Sequence, residues 1–242
     1  MDSADIQYRQ PLKAPVKEYF TAYNLPFEDG WSQKRSKGLS TRNYNFRDTS
    51  TLQDSLKTHP DCEERYHKTK GFTDVKSIIT PIPAAIRERT NKIVLWNLYN
   101  NMNLTTCLYR IMLEKDKGNK DEWYDFMVYN ICSGLFYADR ELMRFNAIGV
   151  IPKEYVSKEY YELQTTLEQI PRESLEGYCK SFQNAHFWKN MPPAEKSFKR
   201  LMYALALDAD NSDKHKALIA KEFTVDNSTS LYREFARMFE TK

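Results

Sequence analysis

The sequence predicts an all-α protein, a multi-helix bundle of about seven helices that follows an extended, largely irregular N-terminal arm. Apolar residues recur at intervals of three and four through most of residues 81–242, as they do on the buried face of a helix. No useful run of alternating apolar and polar residues follows residue 83, so strands are not expected there. The seven glycines contain no G-x-G pair, which disfavours a doubly wound nucleotide-binding sheet.

The stretch that organises this prediction is residues 122–145, which we expect to be the central helix. Tyr124, Val128 and Phe136 are apolar residues on the face opposite to the main apolar stripe. A helix that is apolar on more than one side is typical of the middle of a bundle. The main stripe consists of Trp123, Met127, Ile131, Leu135, Ala138, Leu142 and Phe145.

Proline, glycine and capping residues predict the other helix boundaries. The two prolines of TPIPAAIRERT precede a helix over 84–115, with Gly118 as its C-cap. Asn119 and Glu122 resemble a capping box for the central helix. Five more helices are expected: one ending before Pro171, one over about 172–189, one after Pro193, a short one from Ser212 or Asp213 through Phe223, and a last one after Asn227 or Ser228.

Residues 1–80 form the predicted arm, and residues 81–242 form the helical core domain. Only residues 15–23, PVKEYFTAY, have a short helical pattern in the arm. The arm is nevertheless rich in aromatic residues, which disordered tails rarely are. We therefore expect it to dock through these side chains, either on its own core or on a neighbouring subunit. They are Tyr8, Tyr19, Phe20, Tyr23, Phe27, Trp31, Tyr44, Phe46, Tyr66 and Phe72.

The most informative stretch for function is residues 31–47, which have five basic residues and no acidic one. Cations neutralise phosphates and aromatic rings stack on unpaired bases, so this composition suits single-stranded RNA or DNA. Packing on an acidic protein surface is the alternative, because a net charge of +3 does not require a nucleic-acid partner. The predicted nucleic-acid-binding residues are Lys34, Arg35, Lys37, Arg42, Arg47, Trp31 and Tyr44.

No pattern indicates a catalytic, metal or cofactor site. The chain has no G-x-S-x-G, Walker, H-E-x-x-H or kinase motif. Residues 208–219 begin like a calcium loop but lack the required glycine and glutamate. A zinc site drawn from His59, Cys62, His67, Cys179 and His186 matches no common spacing, so buried thiols and surface imidazoles are expected.

A charged group ends the predicted central helix. Arg140 and Arg144 are four residues apart, so they would share a helix face and could bind an anionic partner if that face were exposed. Asp139 and Glu141 lie beside them. The expected arrangement is therefore a solvated or salt-bridged helix end.

Cysteine usage and hydropathy predict a cytoplasmic protein with no membrane partner. The four cysteines form no C-x-x-C pair, residues 1–10 have no apolar signal core, and no stretch approaches about 18 apolar residues. The favoured function is a non-enzymatic assembly protein of nucleocapsid or capsid type, a homo-oligomer that self-associates through its arm and contacts single-stranded nucleic acid. The alternatives are a helical adaptor that binds another protein and an enzyme with an unfamiliar helical active site.

Overall fold

The computed structural model describes residues 8, 10–33, 83–182, 184–206 and 213–237. Within these ranges the regular secondary structure is entirely helical, which confirms the all-α prediction. Three 3₁₀ turns, Asp29–Ser32, Lys153–Tyr155 and His186–Lys189, lie between the α-helices. The α-helices are α1 Val16–Ala22, α2 Ala84–Asn100, α3 Leu104–Asp116, α4 Glu122–Arg140, α5 Arg144–Ile148, α6 Lys158–Gln169, α7 Arg172–Phe182, α8 Pro193–Ala206, α9 Asp213–Asp226 and α10 Arg233–Ala236.

Helix α4 is the centre of the bundle, as its apolar pattern predicts. Residues on every side of it are buried, and it packs against α3, α7 and α8. Its N-cap is Asp121, whose carboxylate accepts a hydrogen bond from the Trp123 amide at 2.9 Å. Asn119 accepts from the Asp121 amide at 3.0 Å, so it caps the preceding turn. The prediction of a capping box formed by Asn119 and Glu122 is therefore wrong, and the N-cap lies two residues after Asn119, at Asp121.

Two helix boundaries occur where the sequence has neither glycine nor proline. The predicted helix over 84–115 is divided into α2 and α3, and the predicted helix over 122–145 ends at Arg140, before α5. The chain leaves the helix through Met102, with φ 56°, and through Leu142, with φ 59°. Gly118 has φ 82°, as expected for its predicted role. The two unexpected breaks turn the seven helices predicted after residue 81 into nine within the described ranges.

Leu142 adopts a backbone conformation that side chains with a Cβ atom rarely adopt. The Leu142 amide donates to the Asp139 carbonyl at 3.2 Å, and the Met143 amide donates to the Ala138 carbonyl at 2.7 Å. These bonds form a Schellman motif, in which glycine is the usual residue at the left-handed position. The leucine side chain is 89% exposed, so packing does not compensate for the unfavourable backbone.

Aromatic side chains fill the core on two sides of α4. Around Phe126 and Trp123, the Trp96 and Tyr232 ring centroids are 4.6 Å apart, and the Trp123 indole donates to the Tyr232 hydroxyl at 2.9 Å. Further along α4, Tyr129 stacks on Phe182 with centroids 4.8 Å apart. The other large aromatic residues of these two groups are Phe187, Trp188, Phe198 and Phe235.

Residues 10–33, here called the N-terminal segment, pack on the bundle. Helix α1 confirms the short helix predicted over residues 15–23, and the 3₁₀ turn Asp29–Ser32 packs against α6. The hydrophobic core therefore extends across the boundary predicted between residues 80 and 81. The buried apolar residues of the segment are Leu12, Val16, Tyr19, Phe20, Leu25 and Trp31.

The helices in the described ranges are too short or too polar to cross a membrane.

Replacing Leu142 by glycine should stabilise the protein. Glycine adopts a positive φ without the Cβ clash, and the exposed leucine side chain contributes little burial. We expect the free energy of unfolding, measured by urea titration, to rise by about 0.5–1 kcal/mol. The matched control is Gly118→Ala, which should lower that free energy because Gly118 has φ 82°. A Cβ there meets no atom within 4 Å, so the loss reports the backbone conformation alone. A loss of stability in Leu142→Gly would contradict this account.

Candidate functional site

The bundle holds the N-terminal segment largely by its backbone carbonyl groups. Apart from α1, the segment has little regular structure of its own, so its carbonyls need partners elsewhere. Side chains of α3, α4, α6 and α7 supply these donors, from one end of the segment to the other. They are Tyr109 to the Gln10 carbonyl (2.6 Å), Tyr129 to the Tyr23 carbonyl (2.9 Å), Tyr178 to the Pro26 carbonyl, and Gln169 to the Gln33 carbonyl (2.7 Å).

The start of the segment is fixed where α3 meets α6. Ser157 caps α6 with its hydroxyl oxygen, which lies 2.6 Å from the Tyr109 hydroxyl oxygen. The Ser157 amide donates to the Tyr8 carbonyl at 2.7 Å. The Tyr8 ring contacts the Tyr160 ring edge to face, with centroids 5.3 Å apart. The same cap residue thus serves both the helix and the N-terminal segment.

Aromatic contacts continue along the segment and include one predicted nucleic-acid-binding residue. Phe20 contacts Phe27 at a centroid distance of 5.3 Å, and Phe27 contacts Trp31 at 5.9 Å. Trp31 is only 2% exposed, so its indole is part of the core, and stacking on a base would require it to leave this position. The other predicted residues, Lys34, Arg35, Lys37, Arg42, Tyr44 and Arg47, lie outside the described residues.

The tyrosine hydroxyl groups are protonated at neutral pH and act as donors, and burial makes their deprotonation still less favourable. Removal from water disfavours the phenolate and raises the pKa of Tyr109 and Tyr129 to about 12. Burial raises the pKa of Tyr178 as well. Sequence reasoning missed these donors, because a tyrosine in an apolar stripe has the same pattern as a phenylalanine. No sequence signal marks a hydroxyl that donates to a distant backbone carbonyl.

A cleft of about 750 Å³ opens beside the docked segment, between α1, the end of α3, α4 and the residues after α7. Two of its carboxylates, Asp116 and Asp125, already have partners. Asp116 accepts from the Lys13 amide at 2.9 Å and from the Tyr19 hydroxyl, while Asp125 pairs with Lys115 at 2.5 Å. The Asp116 contacts fasten the segment to the end of α3, so the cleft forms part of the docking contact.

The described residues contain no group of three or more histidine, cysteine, aspartate or glutamate side chains that could hold a metal ion. Of the residues considered for zinc, those at 59, 62 and 67 lie outside the described ranges. Cys179 is buried, and burial raises its pKa to about 11. His186 is exposed at the start of the 3₁₀ turn His186–Lys189. Cys107 and Cys132 are also buried free thiols, with their pKa values raised by burial, which makes them poor nucleophiles.

The charged group at the end of α4 is a salt-bridged helix junction. Arg140 and Arg144 do not share a helix face, because α4 ends at Arg140 and Arg144 begins α5. Arg144 pairs with Asp139 at 3.2 Å and donates to the Leu167 carbonyl at 2.7 Å, at the C-terminus of α6. Arg172 pairs with the other oxygen of Asp139 at 2.6 Å. The prediction of a salt-bridged end is confirmed, and the shared basic face is wrong.

Four exposed apolar side chains, here called the apolar ridge, lie at this junction. Leu142 is 89% exposed, Phe145 71%, Val150 58% and Met143 43%. The ion pair of Arg144 with Asp139 and its hydrogen bond to the Leu167 carbonyl tie the start of α5 to α4 and α6, so the ridge is anchored to the bundle. Exposed apolar groups of this kind are typical of surfaces that bind another protein.

No family model, curated protein or solved structure matches this chain.

Removing the donating hydroxyls should loosen the N-terminal segment selectively. In the double variant Tyr129→Phe and Tyr178→Phe, two carbonyls of the segment lose their partners while the rings remain. We expect a loss of about 1 kcal/mol per hydroxyl in the free energy of unfolding. Hydrogen exchange of the amides in residues 10–33 should also accelerate.

The matched control is Tyr137→Phe, because the Tyr137 side chain is exposed on the same helix as Tyr129. This control should change neither quantity. Equal exchange rates in the double variant and the control would mean that the carbonyl contacts do not hold the segment.

Proposed function

We propose that this chain is a non-enzymatic assembly protein of nucleocapsid or capsid type, which self-associates by exchanging its N-terminal segment between copies. The observation that supports this proposal is the way the segment is bound. It docks through backbone carbonyls and aromatic rings into a complementary surface formed by residues 83–182. A neighbouring copy offers the same donors and the same groove, so each contact can form between chains as well as within one.

The length of the connection favours such an exchange. Residues 34–82 link the segment to α2, and 49 residues can span up to about 160 Å when fully extended. By length alone, this connection allows the segment to reach the groove of an adjacent copy. Docking within a chain competes with docking between chains, at an effective concentration set by the linker. The fraction of segments docked on another copy therefore rises with the protein concentration.

Contact with single-stranded nucleic acid is the second part of the proposal. Five basic residues lie between positions 34 and 47, directly after the anchored Trp31. In an assembly, each copy would hold this basic stretch close to the docking groove, where it could neutralise phosphates. The net charge of only +3 supports assembly, because copies with a small net charge repel each other weakly.

A helical adaptor that binds a different protein is the second candidate function. The observation that favours it is the apolar ridge, since Leu142 and Phe145 are large, exposed and anchored to the bundle. In this case the segment stays on its own bundle, and the ridge provides the contact to the partner.

Cross-linking of mixed isotopic forms tests the exchange directly. Light and heavy chains are unfolded together, refolded, concentrated and treated with a zero-length carbodiimide. Lys13 meets Asp116 across the docking surface: its amine donates to the main-chain carbonyl of Asp116 at 2.5 Å, and the Asp116 carboxylate, which the reagent activates, accepts from the Lys13 amide at 2.9 Å. If segments are exchanged, mass spectrometry will find Lys13–Asp116 cross-links that join light to heavy peptides. Light scattering should report a mass above that of one chain.

The internal control is the pair Lys17 and Asp29, which are 2.8 Å apart and both lie within the segment. Its cross-links should join peptides of one isotope only, whether or not exchange occurs. Unmixed Lys13–Asp116 cross-links together with a monomer mass would refute self-assembly by exchange and would favour the adaptor. Deleting residues 1–80 is a poorer test, because it would uncover the core that Phe20 and Trp31 now fill.

A further inference from the structure

The outer face of α8 has a stripe of basic and aromatic side chains. The helix buries Phe198, Leu201 and Met202 against the bundle. On the opposite side, four residues follow one another at intervals of three, one and three, so they share one face over about two turns. These residues are Lys196, Lys199, Arg200 and Tyr203.

Two neighbouring elements extend this stripe with further lysines. The Lys196 ammonium lies 3.5 Å from the Lys189 carbonyl, which places the exposed Lys189 beside the start of α8. Lys180, at the end of α7, interacts electrostatically with the Tyr203 phenol. Lys189 and Lys180 therefore lie near the two ends of the stripe.

Aromatic rings hold one of these cations in place. The Lys199 ammonium lies 4.1 Å from the Trp188 ring centroid and 5.5 Å from that of Phe182, within cation–π distance of both. Partial burial lowers the pKa of Lys199 to about 8. An anion bound beside it would favour the charged form and raise that pKa again.

The named groups of this surface have a surplus of positive charge. Its ion pairs are Lys180 with Glu176, and Arg200 with Glu222 at 2.9 Å. With Lys189, Lys196 and Lys199 added, five basic and two acidic side chains leave a formal surplus of three. The side chains at this surface therefore do not neutralise one another, and a bound polyanion can supply the missing negative charge.

We propose that this surface, here called the α8 face, is a second contact for single-stranded nucleic acid. Its residues are Lys180, Lys189, Lys196, Lys199, Arg200 and Tyr203. The lysines neutralise consecutive phosphates, and Tyr203, whose ring is 36% exposed, stacks on an unpaired base. The inference rests on the proposed nucleic-acid function and adds a site on the helical bundle, apart from residues 31–47.

The arrangement favours a single-stranded polyanion over an acidic protein. The stripe from Lys196 to Tyr203 covers about 10 Å along the helix axis, so its cations follow a line rather than surround a point. An aromatic ring among cations adds a stacking surface that an acidic peptide does not use and that paired bases do not offer.

The test measures binding of a short fluorescein-labelled oligouridine to the full chain by fluorescence anisotropy over a range of salt concentrations. In the triple variant Lys189→Gln, Lys196→Gln and Lys199→Gln, we expect affinity to fall at least tenfold at low salt. The slope of log affinity against log salt should become shallower by about 2, since each lost phosphate contact removes about 0.7. Tyr203→Ala should weaken oligouridine binding about tenfold and leave binding of inorganic polyphosphate unchanged.

The control variant has the same charge change on other exposed lysines, namely Lys120→Gln, Lys153→Gln and Lys158→Gln. Equal affinities of the triple variant and this control would overturn the α8 face as a contact. Competition by polyglutamate as effective as that by unlabelled oligouridine would also overturn it, in favour of a general anion-binding surface. Circular dichroism should show that all the variants remain folded.

Neutralising the five basic residues between 34 and 47 separates this inference from the proposed function. Residual binding that the α8 triple variant then abolishes supports two contacts. If the 34–47 variant loses all binding and the α8 triple variant binds as tightly as the wild type, the α8 face is rejected and the proposed function stays intact. A wild-type chain that binds no oligouridine rejects both nucleic-acid contacts, while the isotopic cross-links still decide self-assembly independently.

Discussion

Helix α4 is buried around its whole circumference between Phe126 and Phe136, and this constraint determines how the rest of the protein is arranged. A helix of this kind has to be covered on every side. Helices α3, α7 and α8 cover most of it, and the N-terminal segment closes the remaining groove, where Phe20 and Leu25 lie against Val128 and Cys132. Each large apolar side chain buried there contributes about 1.5–3 kcal/mol. The segment is therefore part of the fold rather than an appendage.

Covering α4 with an irregular segment requires partners for that segment's backbone. An isolated helix as short as α1 is unstable in water, so its geometry depends on the surface beneath it. The bundle meets this requirement with tyrosine hydroxyls that donate to the carbonyls of Gln10, Tyr23 and Pro26. These hydrogen bonds add about 1 kcal/mol each to the larger contribution of the buried apolar side chains of the segment. A second copy offers the same donors and the same apolar surface, so exchange between copies preserves both kinds of contact.

The sequence predicted what depends on periodicity and on strong local signals. The all-α class, the central position of α4 and the boundary at Gly118 follow from helical spacing and from glycine. The breaks at Met102 and Leu142 were missed, because neither residue type normally takes a positive φ and no glycine, asparagine or proline marks either position. Trp31 was predicted to stack on bases, yet composition alone cannot distinguish an aromatic ring that binds a ligand from one that fills a core.

The path of the N-terminal segment could not be predicted for a different reason. Its aromatic composition indicated docking, but the docking surface is assembled from α3, α4, α6 and α7, whose donors lie 99 to 152 residues along the chain from the carbonyls that they bind. The α8 face is a similar case. Its stripe on α8 is visible as spacing, whereas the contribution of Lys180 and Lys189 depends on how α7 and the following turn pack against it.

Native-state hydrogen exchange of the N-terminal segment tests the central claim most directly. If the segment is a structural part of the bundle, the amides of Leu25 and Trp31 will be protected to an extent approaching that of the central α4 amides. Both amides are bonded within the docked segment, to Phe20 and Glu28 at 2.9 Å. Exchange of these amides at the rate of an unfolded peptide, with α4 still protected, would show that the bundle is stable without the segment and would contradict the account.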